Sequence, residues 1–348
     1  MKILRFCLKT PPLIGGMEAH ILHLTKSQLE RGHDVTVVFN SGDKISDHDI
    51  KFSRFEWFKL KPQFLGVFLF GFIVIMYFLC NKKKFDIVHV HGDWSSILIG
   101  QSMVYLGIAS RSAITFHGGV QNTFSHRFIL PFFIKKIKLV FSTGYNSYLY
   151  LKKFNTNVYF QPSGVNSIFF ERIKVKREKK YDVISVANFS TVKNHKFILD
   201  IAEILKNNTF LLVGTGALLS RIQTDIELRG LQNIKCLGFK EINEIKKLME
   251  DSKIFLLTSL EEGTPTSLME AMATGLPVIT SDVGGISKFI SEKNGFIMNE
   301  FNSSLYADKI NELLINHNLY IAINKENHSF SERFKWSSVE ENISSKYV

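Results

Sequence analysis

Two apolar patterns alternate along this chain. Short runs dense in β-branched and aromatic residues read as strands, and the longer stretches after them, with apolar residues every three or four positions, read as helices. In the first half "KILRFCL" leads through "IGG" into "MEAHILHLTKSQLERG" and then "HDVTVVF", followed by "FDIVHVH", "SAITFH" and "KLVFST". The pattern restarts at "YDVISVANF" and continues through "NHKFILDIAEILKN", "TFLLVGTG", "IKCLGF", "KIFLLTS", "LPVITS" and "GFIMN". Strand and helix taken in turn predict βαβ units on parallel sheets, so the fold class is α/β with two Rossmann-like units. The expected domains are residues 1–170 and 181–325, joined by the charged "ERIKVKREKK" at 171–180, with a terminal helical segment at 326–348.

One segment departs from this alternation. From Phe64 to Cys80 the chain is apolar for about 17 residues, close to the length that crosses a bilayer. Lys59 and Lys61 precede it and Lys82, Lys83 and Lys84 follow it. A true span would put the first strands and the strand beginning near Asp86 on opposite sides of a membrane, tearing one sheet apart. A helix lying on or dipping into the membrane face fits the pattern better, with a fully buried helix as the alternative. "SHRFILPFFIKKIK" at 125–138 interleaves aromatics with Arg127, Lys135, Lys136 and Lys138 and extends the expected membrane-facing surface.

Length and charge narrow the partners. The 348 residues suit two domains, and 45% hydrophobic residues supply two cores. The net charge of +11 predicts acidic partners: a nucleotide-sugar, an anionic lipid surface or nucleic acid. Nucleic acid is disfavoured because the basic residues accompany apolar runs rather than a recognition motif. Cys7, Cys80 and Cys236 are scattered, with neither disulfide nor zinc spacing, which predicts a reducing, cytoplasmic setting. The N-terminal apolar stretch is short and broken by Arg5 and Lys9, and it reads as a strand rather than a signal peptide.

The candidate chemistry centres on "EEGTPTSLMEAMATGLPVITS" at 261–281. Thr264 is a good N-cap and Pro265 suits the first helical position, so Glu262 precedes a helix and Glu270 lies within it. The free N–H groups of the helix start stand between them and favour phosphate. A ligand with a group at each end and anionic charge in its middle fits, and a nucleotide-sugar is such a ligand. Gly15 and Gly16 form a strand-to-helix turn where a ligand can approach backbone. His117, followed by Gly118 and Gly119, sits at a strand end, and His91 at a similar end is expected to pack behind it. Lys193 in "ANFSTVKNH" could neutralise a diphosphate, and Gly214 with Gly216 in "LLVGTGAL" offers another phosphate approach. That run is neither a Walker motif nor a full dinucleotide fingerprint. "DHD" at 47–49 has the look of a metal-binding DxD but falls in a polar loop, so no metal site is expected there.

Together these stretches resemble the retaining glycosyltransferases of family 4, from "GGMEAHILHLTKSQLERGHDVTVV" through "DIVHVHG", "FHGG", "PSGVNSIFF" and "VGTGAL" to "EEGTPTSLMEAMATGLPVITSDVGGI". The resemblance implies a GT-B fold, two Rossmann-like domains facing each other across a cleft, with the terminal "FKWSSVEENISSKYV" crossing back to the first. It implies that Glu262 and His117 lie beside the donor sugar, that Glu270 bonds the ribose, that Gly263 belongs to the donor site, and that the backbone around Thr266, Ser267 and Leu268 meets the diphosphate. Lys193 matches the family's diphosphate lysine, and Gly15 and Gly16 its flexible glycine loop. Asn188 stands at a donor-binding position where the family commonly has arginine, and Lys288 where glutamate is common. The expected reaction moves a sugar from a nucleoside diphosphate to a lipid-linked or oligosaccharide acceptor, with no cofactor and no obligatory metal. The expected location is the inner face of the plasma membrane. The rivals are a nucleotide-sugar 2-epimerase and a catalytically silent membrane scaffold.

Overall fold

The computed structural model describes residues 1–12, 15–117, 124–172 and 178–347. The chain forms two compact units, the first from Met1–Gly164 with Trp336–Val348 and the second from Val165–Lys335.

The first unit carries seven strands: β1 (Lys2–Phe6), β2 (Asp34–Phe39), β3 (Ile50–Lys51), β4 (Phe85–His91), β5 (Ala109–Phe116), β6 (Leu139–Ser142) and β7 (Val158–Phe160). They pair in parallel in the order β3-β2-β1-β4-β5-β6-β7. The helices are α1 (Gly16–Glu30), α2 (Gln63–Asn81), α3 (Trp94–Tyr105), α4 (Leu130–Ile134) and α5 (Tyr145–Lys152). Parallel strands need crossovers, and these helices supply all but the β2-to-β3 connection, covering the sheet so that its main strands are almost continuously buried.

The second unit repeats the plan with β8 (Tyr181–Val186), β9 (Phe210–Val213), β10 (Ile234–Cys236), β11 (Ser252–Leu257), β12 (Val278–Ser281) and β13 (Gly295–Met298). Its parallel order is β10-β9-β8-β11-β12-β13. Around this sheet lie α6 (His195–Ile204), α7 (Leu219–Leu228), α8 (Ile242–Glu250), α9 (Thr266–Ala273), α10 (Ser303–Ile315) and α11 (His317–Ser331); α12 (Trp336–Ser344) belongs to the first unit.

The unit boundaries fall at 164 and 335 rather than at the expected 170 and 325. Packing explains both shifts. The Val165 N–H donates to the Phe334 carbonyl at 2.8 Å, and Val165, Phe169 and Phe334 are buried in the second core. Asn327 on α11 donates to the carbonyls of Leu276 and Asn294, fixing that helix to the second unit. On α12, Ser344 accepts from Gln28 at 3.0 Å, and the buried Glu340 takes Arg31 at 2.6 Å. The expected linker lies partly outside the described residues, at 173–177.

α2 is apolar on both faces. Val67, Phe70, Val74 and Phe78 are buried in the first core, with Phe70 5.1 Å from Phe6 between ring centres. Leu65, Leu69, Phe72, Met76 and Leu79 form an exposed stripe, Phe72 being 63% exposed. The helix is long and apolar enough to cross a membrane, yet β1 and β4, which precede and follow it, pair in one sheet. A crossing would separate paired strands, and a fully buried helix would not show this stripe.

Candidate active site

Two loops meet at the carboxyl edge of the second sheet. After β8 the chain passes Asn188 and a short 3-10 turn, Thr191–Lys193, before α6. After β11 it runs through Thr258–Pro265 to α9. The Leu260 N–H donates to the Val192 carbonyl at 2.7 Å, and Thr258 Oγ1 donates to the carbonyls of Lys193 and Asn194. The side chains complete the join. Lys193 Nζ is 2.5 Å from Glu262 Oε1, which also accepts from Ser259 Oγ at 2.6 Å. Ser281 Oγ in turn donates to the Ser259 carbonyl. Glu262 is buried and Lys193 partly so, so each would leave a poorly solvated charge if the other were removed.

A pocket of about 430 Å³ opens beside this pair. It is lined by Asn188, Lys193, Gly214, Thr266, Ser267 and Glu270, each a candidate named from the sequence. α9 begins at Thr266, with the extended Pro265 as its cap residue, one position later than Thr264 and Pro265 suggested. Pro265 makes no side-chain cap, and its carbonyl accepts from Leu268 and Met269. The helix itself therefore leaves the Thr266 and Ser267 N–H groups free for an anion. Leu268 departs from expectation. Its side chain is fully buried in the core and its N–H is bonded to Pro265, which leaves no group for a ligand.

The glycines shape the approach. At Gly214, φ is +141° and an added β-carbon would strike the Ala187 carbonyl. Asn188 lies under Gly216, where a β-carbon would meet its side-chain oxygen. Gly263 follows Glu262 in open space, whereas Gly284, at φ +62°, packs directly on the Glu262 backbone. Sequence reading missed Gly284, although "DVGGI" carried the signal. It also missed Phe239 and Lys240, pocket residues in the loop after β10. Lys240 brings a second cation to a pocket where Asn188 replaces an expected arginine, and Phe239 is 64% exposed.

Glu270 sits within α9 at the pocket wall, and burial pushes its pKa up to about 7.

The remaining candidates lie in the first unit. Gly15 caps α1 and Gly16 opens it, with the Glu18 carboxylate folded close to Gly15. His117 follows β5, and its Nε2 lies 3.1 Å from His91 Nδ1. Burial lowers the pKa of His117 to about 3, so the ring is neutral. Gly118 and Gly119 lie outside the described residues. The "DHD" loop serves the fold, because Asp49 accepts from the N–H groups of Val37, Ile45 and Ser46 and from the Ser46 hydroxyl.

Such an arrangement, a parallel-sheet edge with a free helix start, a lysine and two glutamates, suits group transfer from a phosphorylated substrate. Residues 14–155 match the model described as Glycosyltransferase Family 4, and residues 167–332 match Glycosyl transferases group 1. The chain belongs to the family 4 glycosyltransferases, with the GT-B fold. A relative in Escherichia coli, UDP-Gal:alpha-D-GlcNAc-diphosphoundecaprenol alpha-1,3-galactosyltransferase, is 27% identical over 271 residues, covering 68% of each chain. Among solved structures, sucrose-phosphate synthase from Thermosynechococcus elongatus matches with a TM-score of 0.80 at 16% identity, covering 99% of this chain and 98% of that one. Anabaena HepE in complex with UDP-glucose matches at 0.73 and 17%, with the same coverage.

The raised pKa of Glu270 has a measurable consequence. Its unfolded pKa is about 4.3, so between that value and about 7 the folded chain keeps a proton that the unfolded chain loses. The stability this proton linkage gives is full below the unfolded pKa and is lost as pH rises through about 7. Glu270→Gln, which cannot ionise, should therefore gain in Tm relative to wild type between about pH 5 and about pH 8. A constant Tm difference across that range would contradict the buried-carboxyl assignment.

Proposed function

We propose that the chain transfers a sugar from a nucleoside diphosphate to a lipid-linked or oligosaccharide acceptor, with retention at the anomeric carbon, in assembly of a surface polysaccharide, O-antigen or capsule unit. The observation that carries this reading is the pocket wall where Lys193, the free start of α9 and Glu270 converge. The Thr266 and Ser267 N–H groups would hold the diphosphate, Glu270 the ribose hydroxyls, and the exposed Phe239 ring would support the base. Glu262 would release Lys193 to the phosphate and turn toward the sugar, with His117 as a further sugar contact.

The chemistry then follows from charge. The bond between the anomeric carbon and the phosphate oxygen breaks as the acceptor oxygen bonds to the same face. The acceptor proton passes to the departing phosphate. Lys193, the α9 start and Lys240 supply positive charge where negative charge grows, so this reading requires no obligatory metal. The relatives support the substrate classes: the Escherichia coli enzyme is named for a diphosphoundecaprenol-linked acceptor and a UDP-sugar, and the Anabaena protein was solved with UDP-glucose.

The same reading puts the protein at the cytoplasmic face of the plasma membrane. Support comes from the exposed stripe of α2 and from α4 with its neighbours, where Phe128 and Phe132 are exposed beside Arg127, Lys135, Lys136 and Lys138. Trp94 joins the two elements, its ring 5.5 Å from Phe64 and 6.4 Å from Phe133. Apolar rings flanked by cations, with no acidic residue in either helix, suit an anionic bilayer surface.

Purified protein offered UDP-, GDP- and ADP-sugars with membrane lipid extract should release one nucleotide, and the product's anomeric proton coupling should match the donor's. Lys193→Ala should slow this by about 10²–10³-fold, and Glu262→Ala should abolish it. Inverted product would refute retention, and interconversion of the donor without acceptor would establish the epimerase instead. For the membrane, phosphatidylcholine vesicles with about 30% phosphatidylglycerol should carry the protein in flotation, while Phe72→Ser with Phe132→Ser should weaken binding at least about tenfold. Equal flotation by the double variant would sink the assigned surface.

A further inference from the structure

Three histidines converge in the first unit, and the donor reading uses only one of them. His20 projects from α1, His91 ends β4, and His117 follows β5. One ring nitrogen from each lies within 4.8 Å of the other two. His20 and His91 are 1% and 3% exposed, and Nε2 of His20, the ring nitrogen not turned to Ser163, has no hydrogen-bond partner among the described residues. Such orphaned buried polar atoms are uncommon, because each forfeits its hydration without compensation.

We propose that His20, His91 and His117 form a binding site for a divalent d-block cation of the zinc class. Imidazole nitrogens select such ions over magnesium or calcium, which prefer oxygen. On a tetrahedral zinc, two imidazole nitrogens stand about 3.3 Å apart. His91 Nδ1 and His117 Nε2 already stand 3.1 Å apart. His20 has to close the remaining gap, and its swing is guided from behind, since its Nδ1 lies 2.9 Å from Ser163 Oγ. A hydroxyl on the far nitrogen is the kind of outer contact that orients a ligating histidine.

The rings are also in the right protonation state. Burial lowers the pKa of all three below the ordinary imidazole range, so the rings are neutral and do not repel a cation; for His91 Nδ1 and His117 Nε2 both to ligate, the hydrogen of their mutual bond moves to the far nitrogen of its own ring. Stacking further fixes His91, whose ring centre is 4.5 Å from that of His89. Three ligands leave an open coordination position for water or a substrate oxygen. Occupancy would take up the lone pair of His117, coupling metal level to the sugar-facing histidine. The site itself rests only on the three imidazoles and stands apart from the donor assignment.

The test is direct metal binding by the whole, chelator-stripped protein. Titration with Co²⁺ should give one equivalent with intense visible bands of low coordination number and no thiolate charge-transfer band, and Zn²⁺ should displace it. Calorimetry with Zn²⁺ should show His20→Gln and His91→Gln each weakened at least about tenfold, with circular dichroism confirming their fold. A weak octahedral Co²⁺ spectrum, a thiolate band, or undiminished Zn²⁺ binding in both folded variants would overturn the site. Should the variants fail to fold, the wild-type Co²⁺ spectrum decides alone.

Discussion

The parallel sheet of the second unit imposes the constraint from which the candidate site follows. Its chain begins in β8, builds outward through β9 to β10, then returns to the other side of β8 with β11. At that reversal the chain leaving β8 goes on to α6 and the chain leaving β11 to α9, helices that pack in different apolar clusters, and a crevice opens beside their loops at the carboxyl ends of the strands. Nothing about Lys193 or Glu262 alone creates the site. The strand order puts a lysine loop against a glutamate loop, and the backbone bond from Leu260 to Val192 holds them together.

The ion pair at that junction sets the electrostatics. Glu262 takes Lys193 and Ser259 on one oxygen, an arrangement that keeps a partly buried ammonium in place without an anionic ligand. In the proposed reading a diphosphate competes for the same ammonium. The free N–H groups at the start of α9 and Lys240 are further attractions that bias this competition toward the ligand. Glu270 faces the opposite problem: no cation pairs with it among the described residues, and it holds its proton to about pH 7.

Much of this was legible in the chain. Strand and helix periods differ, so the alternation disclosed two α/β units, and the eight-residue separation of Glu262 and Glu270 across a Thr-Pro helix start marked the pocket. Residues acting through distant packing were not legible. Gly284 matters because it lies under Glu262, and Lys240 because β10 pairs beside β9, relations that no local pattern encodes. Leu268 misled because its N–H follows the two left free at the helix start but already has a partner. His20 blends into the polar positions of an ordinary helix until the sheet brings His91 and His117 beside it. The membrane-length run was ambiguous for a related reason: a helix buried on one face and exposed on the other has the same composition as one buried all round.

Competition for Lys193 is the claim on which this account of the site depends, and equilibrium binding tests it without requiring the acceptor. Calorimetric titration of wild type and Glu262→Gln with UDP, GDP and ADP compares a lysine held by a carboxylate with one held by a neutral amide. The account predicts that the best of these nucleotides binds the variant at least about threefold more tightly, because the ammonium is released and a nearby negative charge is gone. Unchanged or weaker binding would mean that Glu262 does not compete with the diphosphate, and the pair would then be a fixed structural bridge.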